Sequence, residues 1–127
     1  MSRPEWLAAR TDAAYLEGLL AVAWANGSFS PEEYTTLEVL LDAAGVTAGA
    51  AERVSWYTTR PDPVAVAAGV TDPTMRSFLL DRAMTLAWAD GAPGPGEDAL
   101  IAVWAEHWGY TDEQVAVLRE RALARLG

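Results

Sequence analysis

Two glycine turns carry the residues most able to do chemistry. Asp90-Gly91 is followed by Glu97 six residues after the glycine, with Asp98 beside it. Asn26-Gly27 is followed at the same distance by Glu33, with Glu32 beside it. Carboxylates held at fixed spacing around a turn ligate hard, oxygen-preferring cations. If the two turns pack together, Glu33 and Glu97 meet, and Asp90, Asp98 and Glu32 supply further oxygens. The expected ion is then Ca²⁺, Mg²⁺ or Mn²⁺, with no organic cofactor. The spacing imitates half of an EF-hand loop, with Asp90 at loop position 5, Gly91 at 6 and Glu97 at 12, but positions 1 and 3 fall on Leu86 and Trp88, which cannot coordinate calcium.

The same carboxylates also have a purely structural reading. Glu33 is third after Ser30 and Glu97 third after Gly94, the place from which a glutamate reaches back to the first amide of a helix. Asp90-Gly91 suits a helix end that turns through left-handed backbone. Cation ligand and helix cap are therefore both open for these residues.

Other chemistries find little support. The chain has no cysteine, which removes disulfides, thiolate metal sites and thiol nucleophiles. It has one histidine, His107, placed near a helix C-terminus where an imidazolium suits the helix dipole, and no nucleophile is nominated beside it. All nine basic residues are arginine, so Schiff-base lysines and a P-loop lysine are absent. Gly94 and Gly96 precede a helix, but Asp90, Glu97 and Asp98 around them repel phosphate. Arg119, Arg121 and Arg125 alternate with Glu113 and Glu120, the pattern of a solvated, ion-paired face.

With 127 residues the chain is the length of a single domain, 1–127, and its 51% hydrophobic and 21% charged residues are those of a folded protein. A net charge of −9 makes nucleic acid a poor partner and favours cations or basic protein surfaces. No apolar run is long enough to span a bilayer and no signal peptide is evident, so the expected location is the cytoplasm, without direct membrane insertion.

The elements that position these turns read as helices. Ser30-Pro31-Glu32-Glu33 and Thr111-Asp112-Glu113-Gln114 are capping boxes, and Asp62-Pro63 and Asp72-Pro73 are cap-then-proline starts. Gly45, Gly69 and Gly109 mark stops. Apolar residues between these signals recur with helical spacing, as in Leu100, Ile101, Trp104 and Trp108. The punctuation predicts helices over 4–25, 31–43, 47–58, 63–68, 73–89, 95–107 and 111–125. The fold class is all-α, a bundle of about seven helices. Of the six tryptophans, Trp24, Trp88, Trp104 and Trp108 are expected in the core, whereas Trp6 and Trp56 are less constrained and would mark a partner surface if exposed.

The chain also resembles itself at an offset of 64 residues, as from Leu16 to Leu80. Trp24 meets Trp88, Pro31 meets Pro95, Glu33 meets Glu97, Gly45 meets Gly109 and Thr47 meets Thr111 without a gap. The register predicts two pseudo-twofold helical hairpins, about 12–49 and 76–113, around one core.

The unit Ala87-Trp88-Ala89-Asp90-Gly91 with Glu97, and its degenerate copy Ala23-Trp24-Ala25-Asn26-Gly27 with Glu33, resembles the signature of the tellurite-resistance protein B (TerB-like) family. The resemblance covers about residues 12 to 120. It implies a small bacterial protein of the cytoplasm, linked to tellurite resistance and stress response, without enzymatic activity. It also implies metal binding through acidic residues of the repeated motif. The family's domain is similar to one beside a J-domain in membrane-anchored co-chaperones, which implies a protein partner, in some cases at a membrane. The alternative is a metal-free helical interaction module in which the carboxylates only cap helices. This chain departs from the signature at Asn26, where the family has aspartate.

Overall fold

Two of the helices are buried on most sides over much of their length, and such helices must be covered by their neighbours. These are α1 (Ala13–Ala23), in which every residue but Ala14 is buried, and α5 (Pro73–Ala87), buried over most of its C-terminal half. In a computed structural model, which describes residues 13–27, 29–47, 49–89 and 94–126, these two helices lie against each other at the centre. They cross closely at Gly18, where a Cβ would stand 2.7 Å from the Leu79 side chain. A larger residue in α1 would wedge the two central helices apart.

Five helices surround this pair: α2 (Pro31–Ala43), α3 (Ala50–Ser55), α4 (Pro63–Gly69), α6 (Pro95–His107) and α7 (Asp112–Leu126). The described residues thus form seven helices and no strand, an all-α fold. α2, α4 and α6 pack on α1, while α2, α6 and α7 pack on α5.

The local signals act as their chemistry requires. The Ser30 hydroxyl accepts from Glu33 N at 3.1 Å, and Asp62 and Asp72 each accept the amide two residues on at 3.1 Å. Thr111 and Gln114 close the second capping box reciprocally, at 2.8 and 3.2 Å. Gly45 and Gly109 end α2 and α6 with φ of 72° and 77°, backbone that glycine adopts without strain. The following amides, Val46 and Tyr110, donate back to Leu41 and Ala105 at 2.8 Å.

Trp104 and Trp108 are buried as expected, and each indole N–H finds a carbonyl of α4: Pro63 O at 2.9 Å and Ala67 O at 3.0 Å. These bonds fasten α6 to α4 while satisfying polar atoms that burial would otherwise penalise. Three expectations need adjustment. The helix over 47–58 is only Ala50–Ser55, because Trp56 ends it by turning into the core, where it is fully buried. Trp24 and Trp88 are half-buried rather than core residues, since both stand at the C-terminal ends of the central helices, where coverage runs out. The first part of the helix over 4–25, and Trp6 with it, lie outside the described residues. No helix among the described residues is long and apolar enough to cross a membrane.

Candidate functional site

The first turns of α2 and α6 carry the two motif glutamates, each third in its helix. Glu33 Oε1 accepts from the Ser30 amide at 3.2 Å, and Glu97 Oε1 accepts from the Gly94 amide at 3.0 Å. Both are caps, as the spacing allows. Capping does not leave them at the surface: Glu33 is 5% exposed and Glu97 4%. Both are drawn inward because the turn that precedes α2 packs on the first turn of α6.

Asn26 makes that packing. Its Nδ2 donates to Glu97 Oε1 at 2.9 Å, and its Oδ1 accepts from the Gly96 amide at 2.7 Å. The turn after α1 thereby lies directly on the first turn of α6. A Cβ on Gly96 would collide with the Ala25 carbonyl oxygen, and one on Gly94 with the Asn26 side chain. The glycines of the Pro93-Gly94-Pro95-Gly96 stretch are therefore what lets two backbones come this close.

The Glu33 carboxyl lies near enough to Glu97 to feel its charge. Burial pushes the Glu33 carboxyl up from its ordinary 4.5 to about 7. The Glu97 charge and a hydrogen bond to the Glu97 carboxyl push the same way, against the Ser30 amide and hydroxyl, which hold it down. Two buried carboxyls near each other do not readily ionise together, so Glu33 holds its proton to higher pH than an ordinary glutamate. The partial positive charge at the start of each helix offsets some of their mutual repulsion.

Such a pair is an acidic centre that can release or take up a proton. No family model, curated protein or solved structure matches the chain.

The remaining expected ligands are placed as follows. Asp98 is exposed on α6 and lines a groove on its outer side. Glu32 is exposed at the start of α2, beside Thr35, Thr36 and Ala89. Asp90 lies outside the described residues. Among the described residues, no three histidine, aspartate or glutamate side chains converge as a metal-binding group. His107 is exposed in the last turn of α6.

Asn26 is the functional residue that sequence reasoning undervalues. Its offset from Asp90 marks it as a departure from the acidic signature, yet the departure is chemically apt. A primary amide gives one donor to a carboxylate and one acceptor to an amide, whereas an aspartate would bring a third carboxyl against Glu97. The signal was available in its pairing with Asp90. What the sequence lacks is any mark that the partner lies 71 residues further on.

Proposed function

We propose that the protein is a non-enzymatic, TerB-like stress-response adaptor of the cytoplasm, acting in tellurite resistance, whose Glu33–Glu97 pair takes a divalent cation. The observation that supports this is the approach of two buried glutamates from the first turns of α2 and α6. A divalent cation neutralises both carboxylates at once, where a single proton neutralises one. Ca²⁺, Mg²⁺ and Mn²⁺ are the candidates, because every ligand offered is oxygen. Asp90 and Asp98 flank the pair in sequence and are the proposed auxiliary ligands. A cation between the two first turns would brace one hairpin against the other, and so couple its occupancy to the shape of a partner-binding surface.

Titration of metal-stripped, ¹⁵N-labelled protein with Ca²⁺, Mg²⁺, Mn²⁺ and Zn²⁺ tests this reading. Saturable amide shifts, or paramagnetic broadening by Mn²⁺, are expected over 26–33 and 94–98. The Glu33→Gln/Glu97→Gln double variant, which keeps oxygen acceptors for both caps, should lose them.

A second reading is favoured by the caps themselves. Each glutamate already commits Oε1 to a backbone amide. In that reading the pair is a structural, protonated contact in a metal-free interaction module. Silence at both turns in the titration, with the caps intact, selects it.

A further inference from the structure

Residues 64 apart in the two hairpins have different cover. Against α1 and α2, Trp56 is fully buried, its carbonyl accepts from Trp24 Nε1 at 2.9 Å, and its ring lies 5.4 Å from that of Tyr34. Arg53, one helical turn earlier, meets Glu38 at 2.6 Å. Arg60 lies over the Trp24 ring, 4.1 Å from its centroid. The short stretch 50–60 thus seals the outer side of this hairpin with one aromatic anchor and two arginines.

The counterparts of Trp24, Tyr34 and Glu38 are Trp88, Asp98 and Ala102, and these line an open groove of ≈ 840 Å³. The reason it is open lies in the path of the chain. After Gly109, α7 packs on α5 instead of folding back over α6, so α6 and α7 both rest on α5 and barely touch each other. The groove is floored by Ile101, Ala105 and Val115. Its walls carry three carboxylates, Asp98, Glu106 and Asp112, against one guanidinium, Arg119.

We propose that this groove docks a short helical segment of a partner protein, carrying a tryptophan or tyrosine anchor and at least two basic residues. The chain's own segment 50–60 shows the kind of occupant that fits the first hairpin. The acidic wall and the net charge of −9 select the same chemistry in the second. An apolar floor ringed by charge, with room for one large side chain, is the arrangement in which an aromatic residue becomes the dominant contact. The proposal rests on the adaptor half of the function above; Asp98 is shared with the proposed cation site, whereas Glu106, Asp112 and Arg119 are not.

A synthetic peptide of residues 49–60, with blocked ends, is the probe, added to the ¹⁵N-labelled full chain. Saturable shifts confined to α6, α7 and the Trp88 indole are expected. The peptide with its tryptophan replaced by alanine should bind at least fivefold more weakly, and the peptide with both arginines replaced by glutamate should not bind. The exposed substitutions Glu106→Arg and Asp112→Arg should each weaken the peptide at least threefold while leaving the rest of the spectrum in place. No saturable binding at millimolar peptide, equal binding of the acidic peptide, or shifts spread over the acidic surface would overturn the proposal. A cation titration that succeeds while this one fails would leave the Glu33–Glu97 reading intact.

Discussion

Asn26 and Glu97, 71 residues apart, are joined by a hydrogen bond of 2.9 Å that ties the turn after α1 to the first turn of α6. The same amide group receives the Gly96 N–H at 2.7 Å, so one side chain satisfies a carboxylate and a backbone donor together.

Asn26→Asp removes the donor and sets a negative charge against Glu97. A hydrogen bond to a charged group contributes about 1.5–3 kcal/mol, and its replacement by repulsion should cost about that or more. Urea unfolding at neutral pH should show the loss. Asn26→Ala, which leaves the Gly96 amide and Glu97 without this partner but adds no charge, should cost less than Asn26→Asp.

Gly96→Ala should be destabilising by ~1–3 kcal/mol, because the Ala25 carbonyl oxygen occupies the place of the new Cβ and backbone must shift. Gly69→Ala is the control: nothing lies within 4 Å of its Cβ position and its φ is not positive. That change should be neutral or stabilising by up to ~1 kcal/mol through helix propensity and reduced freedom of the unfolded chain. Thermal or urea unfolding of both variants gives the comparison.

The Glu33 carboxyl has a folded-state pKa of about 7 against 4.5 in the open chain. Between these values the folded protein binds more protons than the unfolded one. Stability is therefore greatest below about pH 4.5 as far as this group is concerned, and falls as pH rises through about 7. The full shift would correspond to ~3 kcal/mol, and solvent screening reduces it to an expected loss of ~1–2 kcal/mol. Urea midpoints at about pH 5 and about pH 8 should differ accordingly in the wild type, and this part of the difference should vanish in Glu33→Gln. A saturating divalent cation should also remove it.

Trp56→Ala should cost ~3–5 kcal/mol, since the side chain is fully buried and α3 is too short to hold its place without it. Chemical denaturation measures the loss. The Trp24 indole N–H would remain bonded to the backbone carbonyl at 56, which makes the effect one of packing rather than of hydrogen bonding.

The parts of this fold legible in the sequence are those decided within a few residues. Ser30, Asp62, Asp72 and Thr111 cap their helices because the acceptor and the amide are neighbours in the chain. Gly45 and Gly109 stop helices because only a residue without Cβ turns there freely. Glu33 and Glu97 lie near each other, a proximity for which the 64-residue register is the only mark in the sequence.

What the sequence left out was set by tertiary docking. Asn26 reads as a weakened aspartate until Gly96 and Glu97 are seen beside it. Trp24 and Trp88 read as core because they occupy equivalent positions 64 apart, and nothing local reveals that Arg60 covers one while the other borders a groove. Trp56 gave no periodic signal, because it is buried by the chain folding back rather than by a helix face.

The most direct test is ¹³C NMR of the Glu33 side-chain carboxyl, followed through a pH titration with and without a divalent cation. The account predicts a midpoint near 7 in the cation-free protein, moving to lower pH with saturating Mg²⁺, Ca²⁺ or Mn²⁺ (the last read by broadening). A midpoint in the ordinary glutamate range, unmoved by any of these ions, would contradict both the carboxyl pair and the cation site built on it.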